Sequence, residues 1–175
     1  MKFLSFLLNK ETKFGVYNDK FITDLTGKIK GASTLKDLIA KKGISEAKEY
    51  VQKNPGNLDK SKIEYLPVIP NPGKIICVGL NYSEHVKETG RTTKQNPVIF
   101  FRVPESQTSH NKPIQKPKVS EYLDFECEMA VIMGDGGKHI KPENALKHII
   151  GYSCYNESTI RDWQQHTEQF GMGKN

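Results

Sequence analysis

Glu126 and Glu128 lie one residue apart in the run Leu123-Asp-Phe-Glu-Cys-Glu-Met-Ala-Val-Ile-Met133. The odd positions, Leu123 to Met133, are apolar, and the even positions open with Asp124, Glu126 and Glu128. Such alternation predicts a β-strand with one buried face. Side chains two apart on a strand point the same way, so both glutamates share a face. Carboxylates held that close repel each other unless a cation or a shared proton lies between them. A hard divalent cation, Mg²⁺ or Mn²⁺, suits an all-oxygen site. The same pattern also describes a sheet that buries one face and solvates an acidic one. The strand alone leaves both readings open.

A second candidate lies in Glu84-His-Val-Lys-Glu88. His85 and Glu88 are three apart and become neighbours on a helical turn. A carboxylate beside an imidazole orients it and supports its protonated form, which suits a general base taking a proton from water. A surface histidine next to a glutamate has the same signature. His110, His139 and His148 read as surface or helix residues, and His166 as a residue of a pocket entrance.

The elements that position these residues follow from local pattern. Phe3 to Leu8, Phe14 to Tyr17 and Phe21-Ile22 read as a small antiparallel meander, joined by a polar Asn-Lys-Glu-Thr connection and an Asn18-Asp19-Lys20 turn. Thr34 with Asp37 three residues on is a capping box for a helix carrying Leu35, Leu38 and Ile39. Gly43 is expected to end it and Ser45 to open a second helix through Ala47, Tyr50 and Val51. Residues 54–73, with Pro55, Pro67, Pro70 and Pro72, predict an extended linker, because proline lacks a backbone donor and fixes its own φ. This divides the chain into a small N-terminal domain with its linker, 1–70, and a second domain, 71–175. In the second, Lys74 to Gly79 and Pro97 to Phe101 read as buried strands. A polar loop runs from Arg102 to Ser120, and Gly134-Asp-Gly-Gly137 closes the Glu-x-Glu strand with a tight turn. The run Pro142 to His148 reads as helical, and Ile149 to Tyr155 as a strand leading into Asn156-Glu157. The fold class is α+β.

Composition narrows the function. The 175 residues are 36% hydrophobic and 26% charged, within the range of globular proteins rather than disordered ones. The net charge is +6, but only three of 26 basic residues are arginine and the lysines are scattered. That pattern argues against a nucleic-acid reader, which favours arginine for bidentate contacts. No apolar stretch approaches membrane-spanning length, and Asn9-Lys10-Glu11 stands where a signal peptide would need small cleavage-site residues. Cys77, Cys127 and Cys154 are odd in number, lack a CxxC pair and lie in apolar runs, so buried reduced thiols in a cytoplasmic protein are expected.

Three blocks together carry a family likeness: Asn71-Pro-Gly-Lys-Ile-Ile-Cys-Val-Gly-Leu-Asn-Tyr-Ser-Glu-His85, the Leu123-Asp-Phe-Glu-Cys-Glu-Met-Ala-Val strand, and Gly151-Tyr-Ser-Cys-Tyr-Asn-Glu-Ser-Thr-Ile-Arg-Asp-Trp-Gln164. In order and spacing they resemble the fumarylacetoacetate hydrolase family over most of residues 60–175. The tail from Gln164 resembles a bacterial branch of 2-oxohepta-3-ene-1,7-dioate hydratase-like members. The resemblance implies a mixed β-sandwich or roll with a small N-terminal α+β domain, incomplete at its C-terminal side. It implies a homodimer at full length; composition, as above, points to no nucleic-acid or membrane partner. It also implies Mg²⁺ or Mn²⁺ held by Glu126, Glu128 and Glu157, the last standing where the family usually has Asp. His85 and Glu88 would be the catalytic pair, and Lys174 a catalytic lysine facing the substrate. Tyr82, Arg102 and Ser106 would contact substrate, and Arg161-Asp162 would be a structural ion pair. The implied reaction is hydrolase or lyase chemistry on acylpyruvate-like 2-oxo acids. Water activated by His85 attacks a carbonyl, and C–C cleavage leaves an enolate stabilised by the metal. Hydration, isomerisation or decarboxylation could use the same ligands, and a non-catalytic binding protein would keep the fold alone. A β-rich fold of this composition ending at Asn175 is expected to expose strand edges and apolar surface.

Overall fold

Strand β1 (Lys2–Leu8) turns back into β2 (Glu11–Tyr17), and β3 (Phe21–Asp24) completes the meander. The computed structural model describes residues 1–88, Gly90 and 96–175, apart from the side chain of His85. Only Asn9 and Lys10 separate β1 from β2, with φ of 52° and 68°, which is shorter than the four-residue connection expected. Two left-handed residues give a two-residue hairpin turn the twist its strands need. Helices α1 (Leu35–Ala40) and α2 (Ile44–Lys53) follow, then two-residue strands β4 (Leu58–Asp59) and β5 (Glu64–Tyr65). These two extend the meander into a five-stranded sheet of order β4-β3-β2-β1-β5. The stretch expected to be a plain linker therefore supplies both edges of a sheet. Gly56 permits this: a Cβ there would lie 2.3 Å from the carbonyl oxygen of Ile22.

Next come β6 (Ile75–Gly79), α3 (Ser83–Glu88), β7 (Val98–Arg102), β8 (Leu123–Asp124) and β9 (Cys127–Met133). They are followed by α4 (Pro142–Ala145), β10 (Ile149–Asn156), β11 (Thr159–Ile160), α5 (Arg161–Gln164) and α6 (Gly171–Lys174). Strands β6 and β7, β8 and β11, and β9 and β10 pair two by two. The architecture is α+β. Among the described residues no helix is long and apolar enough to cross a membrane.

The chain divides into two units. The first comprises Met1–Asn71, Thr108–Pro113 and Cys127–Tyr155, and the second Pro72–Gln107, Ile114–Glu126 and Asn156–Asn175. In the first unit Phe14, Val16, Leu25, Ile29, Leu35, Leu38 and Ala47 form one apolar core, and Leu4, Phe6 and Ile22 a second on the other side of the meander. The alternation of β1 and β2 explains the pairing of faces.

Helix α1 begins as expected. Thr34 accepts from the N–H of Asp37, and the Asp37 carboxylate accepts from the N–H of Thr34. Gly43 does not end α1 but stands at the N-terminus of α2; the left-handed residue that closes α1 is Lys42, at φ 58°. The Thr34 hydroxyl, aided by the backbone N–H groups of Thr34 and Ser33, holds the Asp37 carboxyl below its ordinary range despite some burial. A carboxyl lowered in the folded state stabilises above its unfolded value, and that contribution is lost as pH falls through the lowered folded value. Thr34→Ala is expected to lower stability by about 1 kcal/mol. It should also flatten the acid side of the stability–pH curve, as measured by urea unfolding at several pH values.

Two further expectations are corrected. The run from Leu123 to Met133 is not one strand: β8 stops at Asp124 and β9 starts at Cys127. The backbone between them is claimed elsewhere, since Glu126 donates its N–H to Asn156 Oδ1 and its carbonyl accepts from the N–H of Glu157. The burial of the alternating row is also inverted. Phe125, Met129, Val131 and Met133 are exposed, whereas Glu126 and Glu128 are partly buried. The apolar row of β9 is left about half exposed, from 42% at Val131 to 61% at Met129. For the same reason Cys127 and Cys154 are exposed rather than buried, and all three cysteines are free thiols.

Candidate functional site

Alternation along β7 turns Phe100 and Arg102 to the buried side and Ile99 and Phe101 outward. Arg102 thus carries a charge into the second unit at only 8% exposure. Its Nη1 donates to Glu157 Oε1 at 2.5 Å and to the Ser158 carbonyl at 3.0 Å. Glu157 itself is buried, at the end of the β10 segment just before β11.

The short ladder between β8 and β11 sets the second carboxylate beside the first. Thr159 pairs with Asp124 and Ile160 with Leu123. Just beyond this ladder the Glu126 backbone is tied to the Asn156 side chain and to the Glu157 N–H by the two bonds already described. Glu126 Oε1 accepts from the Thr159 hydroxyl at 2.8 Å and lies 2.7 Å from Arg161 Nη1. Arg161 Nε donates to Asp124 at 2.8 Å.

Lys174 joins the two carboxylates. Its Nζ donates to both oxygens of Glu126, each at 3.0 Å, and to Glu157 Oε2. It also lies 5.1 Å from the centre of the Phe100 ring, an ammonium–aromatic contact. The carrier helix α6 is one turn long. Asn175 fixes its end to β7, accepting from the N–H of Val103 at 2.8 Å and donating to the carbonyls of Phe101 and Gly171.

The two glutamates differ electrostatically. Burial pushes the Glu126 carboxyl up, but hydrogen bonds from Thr159 and Lys174, with the charges of Lys174 and Arg161, outweigh it and leave it below its ordinary value. Burial of Glu157 is stronger than the pull of Lys174 and Arg102, and its carboxyl is raised. Arg161 holds Asp124 low. Three carboxylates and three cations balance, so the centre is neutral and mostly satisfied by hydrogen bonds.

The structure thus gathers Glu126, Glu157, Lys174 and Arg102 in one place. Arg102 is committed to Glu157, and Ser106 donates to the Val103 carbonyl at 2.8 Å, closing its own turn. Glu128 is a half-buried residue of β9 in the first unit. His85 and Glu88 both lie on α3, three apart, and the side chain of His85 falls outside the described residues. Tyr82 precedes that helix and is about half exposed. Arg161 and Asp162 do not pair with each other, because successive residues on a helix diverge. Arg161 serves Asp124 and Glu126, while Asp162 accepts from the buried Ser120 hydroxyl at 2.7 Å.

Thr159 and Ser120 are the members that sequence reasoning missed. Both are buried hydroxyls that donate to a carboxylate. The available signal was chemical: a buried carboxylate needs fixed donors, and Thr159 sits two residues after Glu157.

A hard divalent cation requires oxygen donors. Glu126 and Glu157 already converge on a single cation, and their donor chemistry fits such an ion. Among the described residues no three His, Cys, Asp or Glu side chains are gathered to hold one.

Fold and centre together define an α+β protein of paired strands whose second unit holds a buried carboxylate–cation cluster. The sequence profile described as Fumarylacetoacetate (FAA) hydrolase C-terminal matches residues 74–175, and the chain belongs to the fumarylacetoacetate hydrolase family. Oxaloacetate tautomerase fahd2, mitochondrial, from Xenopus laevis is 36% identical over 133 residues, which are 75% of this chain and 42% of that protein. Oxaloacetate tautomerase FAHD2A, mitochondrial, from Homo sapiens is 34% identical over 119 residues, 67% of this chain and 38% of that protein. Among solved structures, a fumarylacetoacetate hydrolase from the psychrophile Exiguobacterium antarcticum superposes with a TM-score of 0.77 at 29% identity, covering 100% of this chain and 62% of that one. A maleylpyruvate hydrolase from Sphingobium sp. SYK-6, in complex with manganese(II) and pyruvate, shares the fold at a TM-score of 0.77 and 20% identity, covering 99% of this chain and 63% of that one. The chain therefore spans about two fifths of the length of these curated relatives. These comparisons do not single out the hydratase-like bacterial branch.

Proposed function

We propose that this chain carries the acidic side of a divalent-metal centre acting on small 2-oxo acids through an enolate. The observation that carries this reading is the convergence of Glu126 and Glu157, from separate segments, on one buried cationic group. Two relatives support the substrate class by name: the tautomerases act on oxaloacetate, and the Sphingobium hydrolase was captured with pyruvate. Both compounds are 2-oxo acids.

Glu126 and Glu157 would hold Mg²⁺ or Mn²⁺, which when bound supplies Lewis-acid polarisation of substrate oxygens. Lys174 Nζ brings positive charge to the centre, which would stabilise negative charge developing on a substrate oxygen. Thr159 and Arg161 keep the Glu126 carboxylate ionised and fixed. Arg102 fixes Glu157 in place. His85, with Glu88 on the same helix, is the group proposed to take the proton. Keto–enol tautomerisation takes a proton from the carbon beside the carbonyl and returns one to the carbonyl oxygen, and the names of the more similar relatives favour it. C–C hydrolysis would add attack by water on the same enolising framework.

The test is oxaloacetate enol–keto conversion followed by ultraviolet absorbance with added Mn²⁺, alongside calorimetric Mn²⁺ binding. Glu126→Gln is expected to weaken Mn²⁺ binding by more than about 100-fold, beyond the loss usual for outer partners of a metal ligand. Catalysis should vanish with it. Full Mn²⁺ binding in the folded variant would overturn the assignment of Glu126.

A further inference from the structure

The ammonium of Lys174 occupies the place of an ion between two carboxylates. An ammonium has three N–H donors. Lys174 spends them on Glu126 Oε1, Glu126 Oε2 and Glu157 Oε2. The side chain is 2% exposed, and the Phe100 ring covers it on another side. The remaining donors of the cluster all point elsewhere. Arg102 takes Glu157 Oε1, while Thr159 and Arg161 take Glu126 Oε1. Among the described residues, Lys174 is the sole donor to the Oε2 atom of either glutamate. Each of those two oxygens would be freed for another cation if the ammonium moved.

We propose that Lys174 is a tethered counter-cation that holds Glu126 and Glu157 together and competes with a divalent cation for their oxygens. This rests on the metal reading above and adds to it a residue that tunes affinity. The charge of Lys174 acts in both directions. Two buried carboxylates without a cation repel each other and lose hydration, so the lysine stabilises the centre when no metal is bound. The same positive charge repels an approaching divalent ion, and its three hydrogen bonds must be given up in part before the oxygens can turn to the metal. Helix α6 itself is held, by Asn175 to β7 and by the close approach of Gly173 to α5 and β11, so the exchange falls to rotation of the long Lys174 side chain.

The experiment is a calorimetric Mn²⁺ titration of the 175-residue chain, of Lys174→Met and of Lys174→Arg, each with a thermal melt with and without Mn²⁺. Lys174→Met is expected to bind Mn²⁺ about tenfold more tightly or better, because a charge a few ångströms from the ion is gone. It should melt lower without metal and recover when Mn²⁺ is added. Lys174→Arg keeps the charge and should not tighten binding. Equal or weaker binding by folded Lys174→Met, with clear binding by the parent chain, overturns this proposal and leaves the metal reading standing. No Mn²⁺ uptake by any of the three overturns both.

If Lys174→Met does not fold, amine labelling of the parent chain decides. Peptide mass spectrometry should find Lys174 protected without Mn²⁺ and labelled once Mn²⁺ is in excess. Labelling that does not change would overturn the competition.

Discussion

Replacing Arg102 with methionine should destabilise the chain by about 3–5 kcal/mol, the usual result of removing one partner from a buried ion pair. Arg102 is 8% exposed and Glu157 is 5% exposed, so water cannot replace the lost donor. The variant leaves Glu157 Oε1 and the Ser158 carbonyl without the donor they now share. Burial already raises the Glu157 carboxyl, and without the guanidinium it should rise further. The sign of the pH dependence follows. A carboxyl raised in the folded state binds its proton more readily there, so stability falls as pH rises from its unfolded value through its folded value. The deficit of Arg102→Met should therefore be small in acid and grow through that window. Urea unfolding across pH measures it. The double variant Arg102→Met with Glu157→Gln should regain most of the stability, because it removes the stranded charge as well as its partner. A deficit independent of pH, or no rescue, would count against this account of the pair.

Gly173→Ala should disturb the centre without touching a charged group. A Cβ at Gly173 would lie 2.4 Å from the backbone N of Gln164 and 2.5 Å from the carbonyl oxygen of Ile160. Both neighbours are backbone, so α6 must move away from α5 and β11. Overpacking of this kind costs about 1–3 kcal/mol. Lys174 is the next residue, and its bonds to Glu126 and Glu157 should lengthen as the helix shifts. The expected results are a lower melting temperature and faster amine labelling of Lys174. Gly171→Ala is the control, since a Cβ at Gly171 meets nothing within 4 Å. Equal behaviour of the two variants would mean that the close approach at Gly173 does not hold the lysine in place.

Sequence reading reached the elements whose signals are local. The alternation of β1 to β3 and the Thr34–Asp37 capping box are written within a few residues, and both occur as expected. The two-residue turn at Asn9-Lys10 was hidden because Lys10 is not the glycine such a turn favours. The edge strands β4 and β5 are two residues long, too short for any periodicity to show. The break at residues 125–126 arises from Asn156, thirty positions away, and no local pattern reports it. The family likeness drew attention to Glu126, Glu157, Lys174 and Arg102, residues the fold brings together. It said nothing of how Arg102 and Lys174 are spent on the glutamates. Those contacts depend on burial, which alternation misread along β9, where the polar side is the more covered one.

The interleaving of the two units bears on how such a chain can vary. Residues 127–155 leave the second unit directly after Glu126 and return to it at Asn156. At that point of departure and return, Asn156 and Glu157 are bonded to Glu126. The excursion is the β9–α4–β10 segment, clamped at its base. Insertions or deletions near its Gly134-Asp-Gly-Gly137 turn would change its length without altering the spacing of Glu126 and Glu157. The stretch from Glu157 to Lys174 has no such freedom, because one added residue would move the ammonium off both carboxylates. Length variation in descendants of this sequence should accumulate in the first stretch and be absent from the second.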